Sequence, residues 1–126
     1  MKSIQTYKEM AVDFLQLVVA GEIEEAYQKY IGPNFRHHNP YFKGDEESLK
    51  TAMKEDAKNN PNKILEIQRT IREGNLVVVH SKIRQHPEDT AAALVHIFRF
   101  SDNKIAEAWD IGQEQPENSP NQHGMF

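Results

Sequence analysis

The chain has 126 residues, a formal net charge of −4 and no cysteine. The acidic balance argues against non-specific nucleic-acid binding, and the lack of cysteine excludes a thiolate nucleophile, a disulfide framework and a Cys-ligated metal. No apolar run approaches the roughly 20 residues of a membrane span, and charges interrupt the N-terminus too often for a secretory signal. We therefore expect one domain, over residues 1–126, that works in the cytoplasm without membrane or nucleic-acid partners.

Apolar residues recur at helical spacing in three stretches of the N-terminal half. The spacing predicts helices over residues 3–20, over residues 22–30, and from the Gly44-Asp45 pair to the Asn59-Asn60-Pro61 run. Ser3 is the expected N-cap of the first helix. Residues 35–42 are aromatic and are interrupted by Pro40, a pattern that predicts a loop or an edge strand.

After Pro61 the pattern changes to strands, predicted over residues 64–72, 76–86, 90–100 and 105–111. Gly74-Asn75 is a typical hairpin turn between the first two of them. Three helices followed by an antiparallel meander indicate an α+β domain with its helices on one face of a curved sheet. The tail, residues 114–126, is polar and should be extended, and its apolar end, Met125-Phe126, is expected to dock on the domain.

The last hairpin has two possible registers. A three-residue loop over residues 102–104 places Arg99 opposite Glu107 and His96 opposite Asp110, whereas a two-residue loop separates both pairs. Opposite charges directly across a ladder contribute roughly 0.2–1 kcal/mol, and a slip of one residue moves every side chain to the other face. We therefore predict the first register, in which one face carries His96, Phe98, Phe100, Ala106, Ala108 and Asp110.

The same parity argument extends to the neighbouring strands. A three-residue turn at residues 87–89 would place His80 opposite His96, so that His80, His96 and Asp110 form one row. A two-residue turn at Gly74-Asn75 would bring Arg69 beside His80. The row is consistent with interior histidines that are satisfied by their neighbours, but it also suits proton transfer near neutral pH in a wet cavity.

Other polar residues admit plainer interpretations. His37 and His38 are typical of surface-loop histidines, and metal binding is the rival hypothesis for them. The chain has no His-x-His or His-x-x-x-His spacing, so the sequence predicts no metal site. It also contains no glycine-rich phosphate loop and no serine nucleophile elbow.

Six short motifs are spread over most of the chain: Tyr30-Ile31, His38-Asn39-Pro40, Val79-His80-Ser81, Ile97-Phe98-Arg99-Phe100, Lys104-Ile105-Ala106-Glu107 and Trp109-Asp110. Together with the tail, these motifs resemble the SnoaL-like branch of the nuclear transport factor 2-like superfamily. The resemblance implies a cone: a strongly curved antiparallel sheet wrapped around three N-terminal helices, with a deep pocket inside. Members are commonly homodimers through the outer face of the sheet.

The resemblance also implies a chemistry. The branch is named for cyclases that close a polyketide ring by intramolecular aldol condensation without metal or organic cofactor. In those cyclases an Asp late in the sheet does the acid/base work beside a His on the next strand, roles that carry over to Asp110 and His96. His80 is expected to assist them. The expected substrate contacts are Tyr30, His38, Asn39, Arg69, Phe98 and Trp109.

Two hypotheses about function follow from these observations. In the first, the protein is a cofactor-free enzyme on a small hydrophobic carbonyl compound: Asp110 removes an acidic C–H proton, and His96 or His80 stabilises the enolate before aldol cyclisation or isomerisation. In the second, the protein is a non-catalytic dimeric module that binds a small hydrophobic ligand. Removing the Asp110 carboxylate separates them, because it abolishes chemistry in one and changes only affinity in the other.

Overall fold

The computed structural model describes residues 5–126, which form three helices and five strands. Their bounds are α1 Tyr7–Val19, α2 Ile23–Tyr30, β1 Ile31–His37, α3 Glu46–Asn59, β2 Ile64–Glu73, β3 Leu76–Arg84, β4 Ala92–Ser101 and β5 Lys104–Glu114. The α+β prediction is therefore confirmed. No helix within residues 5–126 is both long and apolar enough to cross a membrane.

Helix α1 begins later than the sequence predicted. Thr6 accepts a hydrogen bond from the Glu9 N–H at 3.1 Å, and the Glu9 carboxylate accepts one from the Thr6 N–H at 3.0 Å. This reciprocal capping box satisfies two helix-terminal donors and starts the helix at Tyr7. The predicted cap, Ser3, lies outside the described residues.

The sheet is open and curved, with the strand order β1-β5-β4-β3-β2. Strands β2 to β5 form the predicted antiparallel meander. The remaining strand, β1, pairs in parallel with β5 and forms one edge of the sheet. Of the segment predicted as a loop or an edge strand, residues 35–37 belong to this edge strand, which starts at Ile31, and residues 38–42 form a loop. The core fills the space between the helices and the inner face of the sheet, with Phe14, Tyr27, Tyr30, Val77, Val79, Phe98, Phe100 and Ile105 among its buried residues.

The hairpin between β4 and β5 reaches the predicted register by a different route. Its loop has two residues, Asp102 and Asn103, both with positive φ, so the predicted three-residue loop is wrong. A bulge at Ala106 then adds one residue to β5 and restores the parity. Both predicted cross-strand pairs are consequently confirmed: Arg99 with Glu107, and His96 with Asp110.

The register between β3 and β4 differs from the prediction. His80 pairs with Val95, and Val79 is the partner of His96, so His80 points to the outer face of the sheet. The predicted row of three is wrong at His80, because the last pair of this hairpin, Ile83 with Ala92, encloses an even number of residues, whereas the prediction required an odd number. The Gly74-Asn75 turn and the pairing of Arg69 with His80 are confirmed, but on that outer face.

Candidate active site

A small cavity lies between the inner face of the sheet and helices α1 and α3. Its lining is mostly apolar, and its polar members come from β1, β4, β5 and the loop after β1: Phe14, Leu15, Phe35, His37, Asn39, Leu49, Met53, His96, Phe98, Ala108, Trp109 and Asp110. The cavity volume is about 40 Å³. Since one water needs roughly 10–15 Å³, the cavity has room for only a few small groups.

Asp110 is held at the cavity by one of its two oxygens. Asn39 donates from Nδ2 to Asp110 Oδ2 at 2.9 Å, and the Tyr41 N–H donates to Asn39 Oδ1 at 3.0 Å, which fixes the orientation of the amide. Within the described part of the chain, Asp110 Oδ1 makes no hydrogen bond. The carboxylate is therefore oriented and keeps one oxygen free for a proton.

His37, at the end of β1, has its tautomer fixed by the backbone. Its Nδ1 lies 3.2 Å from the N–H of Asn39 and accepts a hydrogen bond from it, so the ring is neutral and Nε2 carries the proton. The residue is only 6% exposed, and no group among residues 5–126 accepts a hydrogen bond from its buried Nε2. A residue of the cavity lining thus has an unused N–H donor.

His96 is the second imidazole of the cavity. It is the direct cross-strand neighbour of Asp110, and its ring lies parallel to Phe98 with 5.7 Å between the ring centroids. Burial lowers the pKa of His96, and the nearby Asp110 charge opposes that shift only in part. His96 is therefore neutral near pH 7, and its buried Nδ1 finds no hydrogen-bond partner in the described chain.

These two imidazole nitrogens decide between a structural and a functional interpretation. A buried polar atom without a partner costs about 1–3 kcal/mol, so purely structural histidines are normally hydrogen-bonded. Here two such nitrogens belong to residues that line the same cavity as an oriented carboxylate. The arrangement is typical of a site that is completed by a bound molecule.

The opposite face of the same strands carries a different group, which we call the outer cluster: Glu107, Arg36, Arg99 and His38. The Glu107 carboxylate, 7% exposed, accepts hydrogen bonds from Arg36 Nε at 2.9 Å, Arg99 Nε at 3.0 Å and His38 Nε2 at 2.6 Å. These donors, His38 first and then Arg36, lower the pKa of Glu107 to about 2. Both oxygens of the Glu107 carboxylate are therefore paired.

Five of the predicted site residues border the cavity: Asn39, His96, Phe98, Trp109 and Asp110. Four lie elsewhere: Tyr30, His38, Arg69 and His80. His38 belongs to the outer cluster, where it stacks on Trp109 at 4.9 Å between ring centroids. Arg69 and His80 hydrogen-bond to each other on the outer face of the sheet.

Tyr30 is a core residue rather than a cavity residue. It is 1% exposed, and its hydroxyl accepts a hydrogen bond from Gln5 Nε2 at 3.1 Å and donates to Asp13 on α1. It faces α1 because Ile23, Ala26 and Tyr27 share its side of the short helix α2. Tyr30, predicted as a substrate contact, therefore does not line this cavity.

The sequence prediction missed His37. Side chains alternate between the faces of a strand, so His37 and Asn39 share the inner face while His38 lies on the other. The prediction instead grouped His38 with Asn39, which this alternation does not allow. The signal that could have corrected it was the spacing of two residues between His37 and Asn39, once residues 31–37 were recognised as a strand.

The tail ends on the outer face of the sheet, away from the cavity. The Phe126 ring stacks on His80 at 6.4 Å between centroids, and Lys82 Nζ lies 4.9 Å from the centre of the same ring. Met125 borders a shallow depression with Val95 and Ile111. The prediction that the apolar end of the tail docks on the domain is confirmed.

Comparisons with known proteins agree on the architecture. The family model described as SnoaL-like domain matches residues 11–108. No curated protein matches the chain. Among solved structures, the chain is similar to a SnoaL-like polyketide cyclase from Agrobacterium tumefaciens, at 12% identity over 87% of this chain and 93% of that one, with a TM-score of 0.69.

Two further structures show the same likeness. A nuclear transport factor 2-like protein of unknown function from Cytophaga hutchinsonii is 16% identical, over 90% of this chain and 95% of that one, with a TM-score of 0.71. Another, from Burkholderia xenovorans, is 19% identical, over 89% and 86%, with a TM-score of 0.67. At these identities the likeness shows the fold: three helices and a five-stranded curved sheet in the cone of that superfamily.

Proposed function

The chain belongs to the SnoaL-like domain family, and on that premise we propose that it is an acid/base enzyme acting on a small hydrophobic carbonyl compound. The observation that carries the proposal is the state of Asp110: one oxygen is held by Asn39, the other is free, and the carboxylate faces an apolar cavity beside a neutral His96. A held carboxylate with an open oxygen is suited to removing a proton from carbon.

The chemistry proceeds through an enolate. Asp110 takes a proton from the carbon next to a carbonyl group, and the electrons of that C–H bond form the enolate, whose charge develops on oxygen. His96, neutral and buried, donates a hydrogen bond to this oxygen from a site that excludes bulk water. In an aldol condensation the enolate carbon then attacks a second carbonyl, and the alkoxide that forms takes the proton from Asp110. In an isomerisation Asp110 instead returns the proton to a different carbon.

Orientation of the substrate in the cavity has to supply much of the rate acceleration. General acid/base assistance contributes about 10²–10⁴-fold, and the remainder comes from orientation in a matching cavity. The cavity bordered by Phe14, Phe98 and Ala108 provides apolar walls of that kind. The SnoaL-like polyketide cyclase among the similar structures supports condensation rather than isomerisation as the first reaction to test.

Substrate entry requires one wall of the cavity to move, since about 40 Å³ is too small for a carbonyl compound with an apolar body. Helix α3 is the wall that moves at least cost. It contributes Leu49 and Met53 to the lining but has no fully buried residue, whereas α1 buries four residues in the core. We therefore assign the entrance to the side of α3.

The outer face of the sheet is the proposed homodimer surface. It exposes large apolar side chains on separate strands: Ile71 is 58% exposed, Leu76 39% and Ile111 63%. Apolar groups that are spread over one sheet face are typical of an association surface. A dimer formed there leaves the cavity, on the other face, accessible.

The experiment that tests the proposed function is proton–deuterium exchange, followed by NMR, at the acidic carbons of a panel of enolisable ketones and β-keto esters. Wild-type protein should catalyse exchange, and Asp110→Asn should lower the rate by about 100-fold or more. Glu114→Gln, a carboxylate-to-amide change at an exposed position of the same strand, is the matched control and should leave the rate unchanged.

Full exchange activity in Asp110→Asn would contradict the mechanism. Binding of panel members at the cavity without exchange in either protein would favour the alternative function, a non-catalytic module for small ligands. The two functions are therefore separated by one set of spectra.

A further inference from the structure

We propose that His37 is a second hydrogen-bond donor of the cavity, and that with His96 it selects 1,3-dicarbonyl substrates, whose acidic carbon lies between two carbonyl oxygens. The proposal rests on the enolate chemistry proposed above. It gives a role to a buried donor that this chemistry did not use.

The first step of the argument is the tautomer. Because the backbone N–H of Asn39 donates to His37 Nδ1, the proton of the neutral ring is on Nε2. His37 lines the cavity, and its buried Nε2 has no acceptor among residues 5–126. The donor is also preorganised, because the loop that follows is held by the bonds from Tyr41 to Asn39 and from Asn39 to Asp110.

The second step is the order of the strands. His37 is on β1, Asp110 on β5 and His96 on β4, and β5 lies between the other two. His96 is directly opposite Asp110, and His37 is opposite Ala108, two residues before Asp110 on the same face. The strand that carries the base therefore lies between the strands that carry the two imidazoles.

The third step matches this pattern to a molecule. Strands are about 4.8 Å apart, so β1 and β4 are separated by roughly 10 Å, a span that two N–H···O bonds and a three-carbon unit fill. In a 1,3-dicarbonyl compound the order oxygen, acidic carbon, oxygen repeats the order donor, base, donor. Loss of the proton spreads negative charge over both oxygens, and both donors then face developing charge.

The fourth step concerns charge. His37 is neutral, so it stabilises the enolate without placing a cation beside Asp110 before the reaction. A cation at that position would favour the ionised carboxylate and weaken it as a base. Neutral donors on both sides avoid that loss.

Asp110→Asn provides the binding test, because the amide resembles the carboxyl group after it has taken the proton and does not repel an anion. The probe is the enolate of acetylacetone, titrated into Asp110→Asn and followed by proton NMR of the ligand. Adding His37→Phe should weaken binding about tenfold or more, the loss expected for one hydrogen bond to an anion. Adding His38→Phe, the neighbouring imidazole on the opposite face, should change it by less than about twofold.

A second measurement requires no substitution at His37. In ¹⁵N-labelled Asp110→Asn, the His37 Nε2 proton should shift downfield when the acetylacetone enolate binds, while His86 and His123 should not respond. His37→Gln, which keeps an N–H donor, should restore part of the affinity that His37→Phe removes.

The outcomes separate this proposal from the proposed function. Enolate binding within about twofold of the parent after His37→Phe would overturn the role of His37, even if wild-type protein still catalyses exchange. Absence of enolate binding to Asp110→Asn would overturn it as well. Tight, His37-dependent binding in a protein without exchange activity would instead retain the site and its ligand class while refuting the enzyme.

Discussion

Strands β1, β5 and β4 carry polar and charged residues on both faces of the sheet, and the two faces differ in how these residues are hydrogen-bonded. On the outer face, every charged oxygen of Glu107 is matched by Arg36, Arg99 or His38. On the inner face, the described structure leaves His37 Nε2 and His96 Nδ1 without partners. Two acidic residues of the same strand, Glu107 and Asp110, thus have opposite environments: the first is fully hydrogen-bonded, and the second borders a cavity with unpaired donors.

The difference indicates which group stabilises the fold and which serves a ligand. A carboxylate that accepts four hydrogen bonds, as Glu107 does, gains most of the interaction energy that it can provide, and it leaves no acceptor site for a further molecule. A cavity with unpaired nitrogens costs stability in the free protein, and proteins tolerate such a cost mainly at functional sites. The predictions below test this division between the inner cavity and the outer cluster.

The largest expected loss of stability is at the outer cluster. Glu107→Gln removes the charge that pairs with two arginines, and we expect the free energy of unfolding in urea to fall by about 2–3 kcal/mol. Arg36→Gln is the control, because the Arg36 side chain is 66% exposed and its pairing is worth about 1 kcal/mol or less. Equal effects from the two substitutions would contradict the central role of Glu107.

The two regions should also respond to acid in separate pH ranges. The lowered pKa of His96 means that the unfolded chain takes up its proton first, so stability should fall as the pH drops below about 6.5. The contribution of Glu107 to stability is complete above about pH 4.5 and should disappear as the pH falls towards the folded pKa of about 2. Urea unfolding at a series of pH values measures both, with slopes of up to about 1.4 kcal/mol per pH unit for each group.

Two substitutions show which group causes the loss of stability in each pH range. His96→Phe should remove the loss that begins near pH 6.5, and Glu107→Gln should remove the later one. A first stage that persists in His96→Phe would show that another group causes it.

Removing an imidazole should change the free energy of unfolding in opposite directions on the two faces of the sheet. His96→Phe eliminates an unpaired buried nitrogen, and we expect it to be neutral or to stabilise the protein by up to about 1 kcal/mol. His38→Phe breaks the bond to Glu107 and should cost about 1 kcal/mol. Thermal and urea unfolding measure both effects. Clear destabilisation by His96→Phe alone would mean that His96 is a satisfied core residue.

The smallest expected effect is at the tail. Phe126→Ala removes a stacking contact with His80 on the outer face, so the free energy of unfolding should fall by no more than about 1 kcal/mol. Hydrogen–deuterium exchange of substrate should be unaffected, because the tail ends away from the cavity. A change in the exchange rate without a change in stability would connect the tail to the cavity and contradict its assigned place.

Much of the fold could be predicted from the sequence because local patterns determine it. Helical spacing and turn residues gave the three helices and the meander, and the charge of Arg99 and Glu107 gave the correct pairing in the last hairpin. That pairing was correct despite a wrong loop length, since the bulge at Ala106 compensates for the two-residue turn. Charge complementarity was the stronger signal.

The candidate site could be predicted only in part, because parity arguments accumulate errors from one strand to the next. His96 and Asp110 are joined by one short hairpin, and their pairing was correct. His80 depended on the long connection over residues 85–91, whose length no turn motif specifies, and it was assigned to the wrong face. His37 depended on a parallel strand pair far apart in sequence, which residue patterns alone do not reveal.

The most direct test of the division between the faces is to measure stability and exchange activity together in Asp110→Asn and Glu107→Gln. Both changes convert a carboxylate to an amide on strand β5, one at the cavity and one in the outer cluster. We predict that Asp110→Asn loses exchange activity by about 100-fold while its unfolding free energy stays within about 1 kcal/mol of wild type, and that Glu107→Gln shows the reverse pattern. Loss of both properties in both variants, or retention of exchange by Asp110→Asn, would contradict the account.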